Sequence, residues 1–151
     1  MFALEIKKRI TAIIPVRKGS KRCIRKNCRQ FGYNSSLLKE KISILKKVNG
    51  LSGIIVTSDC DDMLQVAAEM GGMVDKRPAI YAADNKVCPA SSFFRYLAKI
   101  CPTGTLMHAP CTSPFVSCDT YEKAIKKWKE KSPHVDSINS VSKCSEFLWS
   151  Q

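Results

Sequence analysis

Short apolar segments alternate with amphipathic segments of helical period along this sequence, and this alternation restricts the fold more than any other feature. Ile10–Val16 and Gly53–Thr57 are apolar and rich in β-branched residues, which is typical of buried strands. Thr105–His108 and Asp136–Val141 are predicted as two further strands. The predicted helices are Leu37–Val48, Asp61–Met70, Ser91–Ile100 and Asp119–Glu130. Such alternation predicts βαβ units, and hence a three-layer α/β fold in which helices flank a mostly parallel sheet.

Several side chains are expected to end or pack these helices. Asp119 and Glu122 have the spacing of a capping box at the start of the last helix. Asp59 is expected to cap the helix that follows it, in preference to binding a metal ion. One apolar helix face is expected in the core, and it consists of Phe93, Phe94, Leu97 and Ile100.

Length and composition predict one ordinary soluble domain, comprising residues 1–151. No apolar run approaches the ~18–20 residues that span a bilayer, and the N-terminus lacks the pattern of a secretory signal. The eight cysteines include no C-x-x-C pair, so we do not expect a zinc site. Free thiols and a cytoplasmic location are expected instead. Neither Cys88 nor Cys111 has a histidine partner that would predict a nucleophile.

The first predicted strand leads directly into a basic loop. Ten Lys or Arg residues and no Asp or Glu lie between Lys7 and Arg29, whereas the whole chain carries a net charge of +12. The rest of the chain is therefore nearly balanced, which indicates a local anionic ligand. Ligands of parallel α/β sheets bind beyond the carboxyl ends of the strands. That rule brings the basic loop together with Asp59 and Cys111–Phe115.

The loop itself, PVRKGSKRCIRKN, has the groups that bind phosphate. Gly19 lets backbone amides approach an anion, and Ser20 offers a hydroxyl group. Positive charge comes from Arg17, Lys21 and Lys26. The loop matches neither G-x-x-x-x-G-K-[ST] nor G-x-G-x-x-G. The residues alone therefore leave open a nucleotide site or a patch that binds RNA or another polyanion. No aromatic residues are interleaved with the basic cluster, which argues against nucleic acid.

The segment IIPVRKGSKRCIRKN resembles the P-A-R-x-G-S-K-x-x-x-x-K-N signature of the acylneuraminate (CMP-sialic acid synthetase) cytidylyltransferases. Further segments resemble motifs of that family in the same order: Ile54–Asp59, Lys76–Asp84, Cys111–Phe115 and SINSVSKCSEFLWS. The resemblance covers essentially the whole chain. It implies a Rossmann-like fold of the nucleotide-diphospho-sugar transferase type. Without it, Arg77-Pro78 and Thr112-Ser113-Pro114 are typical of turns.

The resemblance also implies roles for individual residues. The triphosphate of CTP would be held by Arg17, Ser20, Lys21, Lys26 and Asn27. Arg17 and Lys21 would counter charge at the reacting α-phosphate, and they are the expected catalytic residues. Arg77 would close over the cytosine, together with the segment that runs to Asp84.

The implied reaction is the transfer of CMP from CTP to a nonulosonic (sialic-type) sugar acid. The anomeric hydroxyl would attack the α-phosphate and pyrophosphate would leave, with Mg²⁺ or another divalent cation assisting. Thr112 and Ser113 would lie between nucleotide and sugar. A full-length protein of this family would be expected to form a homodimer.

Two departures from the family pattern bear on activity. Ala109-Pro110-Cys111 stands where the family often has Leu-Gln-Pro. The family's metal-binding D-x-D motif would fall beyond Gln151, so the metal ligands stay unknown. We therefore expect the N-terminal, nucleotide-binding portion of an enzyme, truncated at its C-terminus. The alternatives are a catalytically incomplete remnant that still binds nucleotide, or a non-enzymatic polyanion-binding module.

Overall fold

Four strands and four α-helices alternate in the part of the chain that the computed structural model describes, which is residues 9–19, 23, 25–33, 35–83, 86–132 and 134–141. A short 3-10 helix, Ala79–Ala82, lies after the third strand. The strands are β1 (Ile10–Pro15), β2 (Leu51–Ser58), β3 (Met73–Lys76) and β4 (Thr105–His108). The helices are α1 (Leu37–Lys46), α2 (Asp61–Glu69), α3 (Ala90–Ile100) and α4 (Cys118–Lys131).

The strands form one parallel sheet in the order β3-β2-β1-β4. Ile13 at the centre of β1 pairs with Ile55 of β2 on one side and with His108 of β4 on the other. The α/β fold with a parallel sheet, predicted from the alternation of elements, is confirmed.

Helices cover both faces of the sheet because the side chains of β1 alternate between two apolar clusters. Ala12 and Ile14 pack with residues of α1, α2 and α4 on one face. Ile13 packs with Leu97 of α3 on the opposite face. The three layers therefore follow from the period of two in a single central strand.

Serine side chains, rather than acidic ones, cap two of the helices. Ser36 Oγ accepts a hydrogen bond from the Lys39 amide, 3.3 Å away, at the start of α1. Ser117 Oγ accepts from the Thr120 amide, also at 3.3 Å, at the start of α4. The predicted capping box at Asp119 is therefore wrong, because α4 begins before it. Glu122 instead accepts hydrogen bonds of 2.8 Å from the backbone and side-chain nitrogens of Asn49.

The observed sheet differs from the predicted one in two strands: one predicted strand is absent and one observed strand was not predicted. Asp136–Val141 is not a strand, and its side chains are exposed. Met73–Lys76, which the sequence patterns did not predict, is the edge strand β3, with Met73 47% and Val74 48% exposed. A four-residue edge strand buries too little for an apolar pattern to mark it.

The helix face expected in the core is buried only in part. Leu97 is fully buried, and Phe93 and Ile100 pack beside it. Phe94 is 46% exposed and contacts His108 edge-to-face, with ring centroids 5.3 Å apart. Phe94 therefore lies outside the core, against His108 on the edge strand β4. No helix in the described ranges is both long and apolar enough to cross a membrane.

Candidate active site

A cavity of about 370 Å³ opens where β1 and β4 end, at the carboxyl edge of the sheet. Five of the predicted site residues line it, and they are Arg17, Lys26, Asn27, Arg77 and Thr112. Its remaining walls are mostly apolar, with Tyr81, Phe93 and Phe94 among them. Such a volume is within the range of small-molecule sites.

Arg17 reaches across the cavity to the 3-10 segment. Its Nη1 atom donates hydrogen bonds to the carbonyl oxygens of Ala82, at 3.2 Å, and Ala83, at 3.5 Å. Both alanines also line the cavity. The half-buried guanidinium thus links the loop after β1 to the segment predicted to close over a base.

Arg77 is the buried cation of the site, with only 4% of its surface exposed. Its Nη2 atom donates to the carbonyl oxygen of Val16, and its guanidinium lies 5.6 Å from the centre of the Phe93 ring. Burial lowers the pKa of Arg77, although the nearby Asp59 carboxylate acts in the opposite direction. Arg77 Nε is buried without a hydrogen-bond partner among the described residues. It is therefore a buried donor that the described residues leave unsatisfied.

The basic segment reaches the cavity through a tight turn. Arg25 adopts a left-handed backbone conformation, with φ of 55°, and its carbonyl accepts a 2.9 Å hydrogen bond from the Cys28 amide. Lys26 and Asn27 follow directly and line the cavity. The carbonyl of Asn27 accepts a 3.0 Å hydrogen bond from the Leu38 amide, which ties this turn to the start of α1.

Asp59 holds the basic loop instead of capping a helix. Its Oδ1 atom accepts a 2.9 Å hydrogen bond from the backbone amide of Lys18. The N-cap residue of α2 is Cys60, and no side chain caps this helix. The predicted capping role of Asp59 is therefore wrong, because Cys60 lies between Asp59 and the first helical residue, Asp61, and the Asp59 carboxylate accepts from the loop after β1 instead.

Lys41 is a residue of this region that the sequence did not reveal as functional. It is fully buried, and its Nζ atom donates hydrogen bonds of 2.7 Å to the carbonyl of Ser113 and to the hydroxyl of Tyr121. Ser113 thus contributes its backbone to a contact with α1, whereas Thr112 lines the cavity. A signal did exist, because Lys41 lies on the apolar stripe that Leu38 and Leu45 define on α1.

A tyrosine pair supports the 3-10 segment from behind. The rings of Tyr81 and Tyr96 are stacked, with centroids 4.5 Å apart and planes 17° apart. The Tyr96 hydroxyl donates to Asp75, which also accepts a 2.6 Å hydrogen bond from Thr57. Burial, followed by the bond to Asp75, raises the pKa of Tyr96 to about 12. This network orients Tyr81, which lines the cavity.

Cys111 lines the cavity but is not a nucleophile at neutral pH. It is 2% exposed, and burial raises the pKa of its thiol to about 12. The neutral thiol therefore acts as an apolar wall.

Three predicted site residues, Ser20, Lys21 and Asp84, lie outside the described residues, as does most of the motif segment SINSVSKCSEFLWS. The described part of the chain contains no group of three His, Cys, Asp or Glu side chains that could hold a metal ion. The carboxylate of Asp59 is already engaged by the Lys18 amide. The described residues thus supply no set of Mg²⁺ ligands, and the divalent cation stays an expectation that rests on the motif resemblance.

A parallel α/β sheet whose carboxyl edge carries a cavity lined by two arginines and a lysine is an arrangement that suits an anionic ligand such as a nucleotide. The family model described as cytidylyltransferase matches residues 11–150, and the chain belongs to this family. Comparison with curated proteins found no significant match.

Solved structures support the same fold. One is CMP:2-keto-3-deoxy-manno-octonic acid synthetase complexed with CTP, with a TM-score of 0.67 and 14% identity, covering 82% of this chain and 48% of that one. A cytidylyltransferase from Leptospira borgpetersenii has a TM-score of 0.60 and 17% identity, covering 80% of this chain and 48% of its own.

A third structure is the 4-diphosphocytidyl-2C-methyl-D-erythritol synthase of Anaerococcus prevotii, with a TM-score of 0.57 and 18% identity. The alignment covers 85% of this chain and 54% of that one. The chain therefore spans about half the length of the solved structures that it matches.

Proposed function

We propose that the cavity binds CTP and that the protein transfers CMP to the anomeric hydroxyl of a nonulosonic sugar acid, releasing pyrophosphate. One observation carries this proposal. Arg17, Lys26, Asn27 and Arg77, which the motifs assign to the nucleotide, surround a single cavity although up to 60 positions separate them. This convergence occurs in a chain of the cytidylyltransferase family.

The 3-10 segment supplies the basis for choosing cytosine. The carbonyl oxygens of Ala82 and Ala83 accept hydrogen bonds from Arg17 within the cavity. When phosphate oxygens attract the guanidinium, these carbonyls become acceptors for the exocyclic amino group of cytosine. Uracil presents an oxygen at that place and would leave the carbonyls without a donor. A site of this kind discriminates strongly against the analogue that lacks the donor.

The chemical step needs charge neutralisation and positioning more than covalent catalysis. The sugar hydroxyl oxygen bonds to the α-phosphorus, the bond from that phosphorus to the bridging oxygen breaks, and pyrophosphate leaves with the electron pair. The hydroxyl proton passes to water. Arg17, together with Lys21, would stabilise the negative charge that spreads over the α-phosphate oxygens.

Titration calorimetry with CTP, UTP, ATP and GTP tests the nucleotide assignment. We expect CTP to bind with one site per chain and more tightly than UTP, because only cytosine offers a donor to Ala82 and Ala83. Equal affinity for all four nucleotides would exclude the cytidylyl assignment. Equal affinity for CTP and UTP alone would remove the two carbonyls from base recognition.

Nucleotide binding without transfer is the second candidate. It is favoured by the cavity itself, since Arg17, Lys26, Asn27 and Arg77 can hold a nucleotide whether or not transfer follows. Incubation with CTP, Mg²⁺ and a sialic-type sugar acid separates the two candidates, since only the enzyme forms pyrophosphate and a CMP-sugar.

We propose four further properties. They are a sialic-type sugar as substrate, a requirement for Mg²⁺, a homodimer of the full-length protein and a cytoplasmic location. They are supported by the motif resemblance, and the metal ligands would have to come from residues other than those described. Pyrophosphate release with alternative sugar acids, and the molar mass from light scattering, test the first and third of these.

A further inference from the structure

The fully buried ammonium group of Lys41 is the most unusual charge in the described structure. It donates hydrogen bonds to the Ser113 carbonyl and the Tyr121 hydroxyl, and it lies 5.0 Å from the centre of the Tyr121 ring. Among the described residues, no acidic side chain forms an ion pair with it. Burial accordingly lowers its pKa. Two neutral oxygen atoms and the face of one aromatic ring thus compensate a desolvated cation.

Stability of the fold does not account for such a residue. Lys41 lies between Leu38, Ile42 and Leu45 on the stripe of α1 that packs on the sheet. An unbranched apolar side chain of similar length would fill the same space without the cost of desolvating a charge. The role of the ammonium group therefore lies in the residues to which it donates hydrogen bonds.

Lys41 holds the loop between β4 and α4, which contributes one wall of the cavity. Pro110, Cys111 and Thr112 line the cavity, and Ser113 follows them directly. The Ser113 carbonyl that binds Lys41 also accepts a 3.4 Å hydrogen bond from the Val116 amide. One carbonyl therefore joins this loop to α1 and closes its turn.

The same helix also holds the opposite part of the site. At its first turn, the Leu38 amide donates to the carbonyl of Asn27, at the end of the basic segment. Helix α1 thus contacts Asn27 at its N-terminus and, one turn later, Ser113 through Lys41. A single rigid element sets the spacing between two walls of one cavity.

We propose that Lys41 is a positioning residue that fixes the loop 110–116 against α1, so that Thr112 and Asn27 face one ligand. Its effect on nucleotide affinity rests on the proposed function, whereas its effect on the loop does not. Lys41 does not line the cavity, so it acts through the Ser113 carbonyl. Loss of this contact would leave the sheet intact and loosen one wall of the site.

The test compares Lys41→Met with the matched control Lys39→Met, which changes an exposed lysine on the same helix. For Lys41→Met we expect an unchanged or higher melting temperature, because the buried charge is gone. Amide hydrogen exchange should accelerate at Ser113 and Val116 and stay slow in β1 and α3. Affinity for CTP should fall about tenfold as the loop loses its preorganisation. Lys39→Met should change none of these quantities.

Tyr121→Phe keeps the ring and removes one acceptor, so it gives a second test if Lys41→Met does not fold. It should accelerate exchange at Ser113 and Val116 less than Lys41→Met does, because the carbonyl contact remains. Native exchange in this loop for every variant that folds would overturn the proposal, as would CTP affinity within twofold of the original protein for Lys41→Met. A protein that binds no CTP at all would contradict the proposed function, and the exchange measurements would still decide the role of Lys41.

Discussion

Two arginines of the site differ in burial and in hydrogen-bond partners, so replacing them should have different effects on binding and stability. Arg17 is half-buried and contacts the carbonyls of a neighbouring loop. Arg77 is 4% exposed and supports the backbone at Val16, where β1 passes into the basic loop. Sequence motifs place both residues in the nucleotide site. The structure distinguishes them: the Arg17 side chain can turn to a ligand, whereas Arg77 also supports the fold.

Arg17→Ala should weaken CTP binding by about 1.5–3 kcal/mol, since it removes one charge-assisted contact to phosphate, and should lower stability less than Arg77→Ala does, because its hydrogen bonds to Ala82 and Ala83 are only partly buried. Arg77→Ala should also lower the free energy of unfolding, by about 1–3 kcal/mol, because the buried Val16 carbonyl loses its donor. Calorimetry and urea unfolding of the two variants provide the measurements. If both variants unfold like the original protein, Arg77 does not brace the loop.

A functional residue could be predicted from the sequence when it belongs to a short motif, and not when its role depends on residues distant in the chain. Arg17, Lys26, Asn27 and Arg77 belong to short motifs, so the sequence pointed to them and the structure brings them to one cavity. Lys41 was missed because a lysine on a helix is usually exposed. The Tyr96–Asp75 contact was missed because residues 21 positions apart pair only through the tertiary fold.

At the scale of elements, strong periodicity made the central strands and the helices predictable. Turns and helix caps were harder to predict because they depend on contacts with neighbouring residues. The predicted and observed bounds of α2 differ by one residue. The start of α4 was wrong because Ser117, rather than Asp119, supplies the cap. Edge strand β3 was not found, since its exposed side chains lack the pattern of a buried strand.

The turn between α1 and β2 gives a stability test at this scale. Gly50 has φ of 94°, and an added Cβ atom would lie 3.2 Å from Cγ2 of Ile125 on α4. Gly50→Ala should therefore lower the free energy of unfolding by about 1–2 kcal/mol.

Gly19→Ala is the matched control, because an added Cβ atom there meets no atom within 4 Å. It should be neutral or stabilising by less than about 1 kcal/mol. Urea unfolding measures both variants, and equal stabilities would show that the turn relaxes without cost.

At the scale of the whole molecule, several positive charges, among them Arg17, Lys18, Arg25 and Lys26, follow β1 at the carboxyl edge of the sheet. The net charge of +12 is carried mostly by the segment that ends beside the cavity. A basic surface of this kind also attracts RNA without sequence preference, so affinity for RNA alone does not identify a function. The dependence on salt separates the two kinds of ligand.

Raising the salt concentration from 50 to 200 mM should weaken binding of single-stranded RNA by roughly 50-fold if about four phosphates are contacted. The preference for CTP over UTP should persist over the same range, because hydrogen bonds to the base set it. Fluorescence anisotropy with labelled RNA and nucleotide competition measure both. RNA affinity that is insensitive to salt, together with no nucleotide preference, would favour a nucleic-acid-binding module.

The bridge from Arg17 to the carbonyls of Ala82 and Ala83 has a consequence for how the two ends of a nucleotide communicate. Under the proposed binding mode, a triphosphate draws the guanidinium away and thereby uncovers the acceptors for the base. Binding of the triphosphate then favours binding of the base, and binding of the base favours binding of the triphosphate. Cytidine and tripolyphosphate should accordingly bind cooperatively when offered as separate molecules, each raising the affinity for the other, as reciprocal coupling requires. Either fragment alone would in this way bind more weakly than it does in the presence of the other.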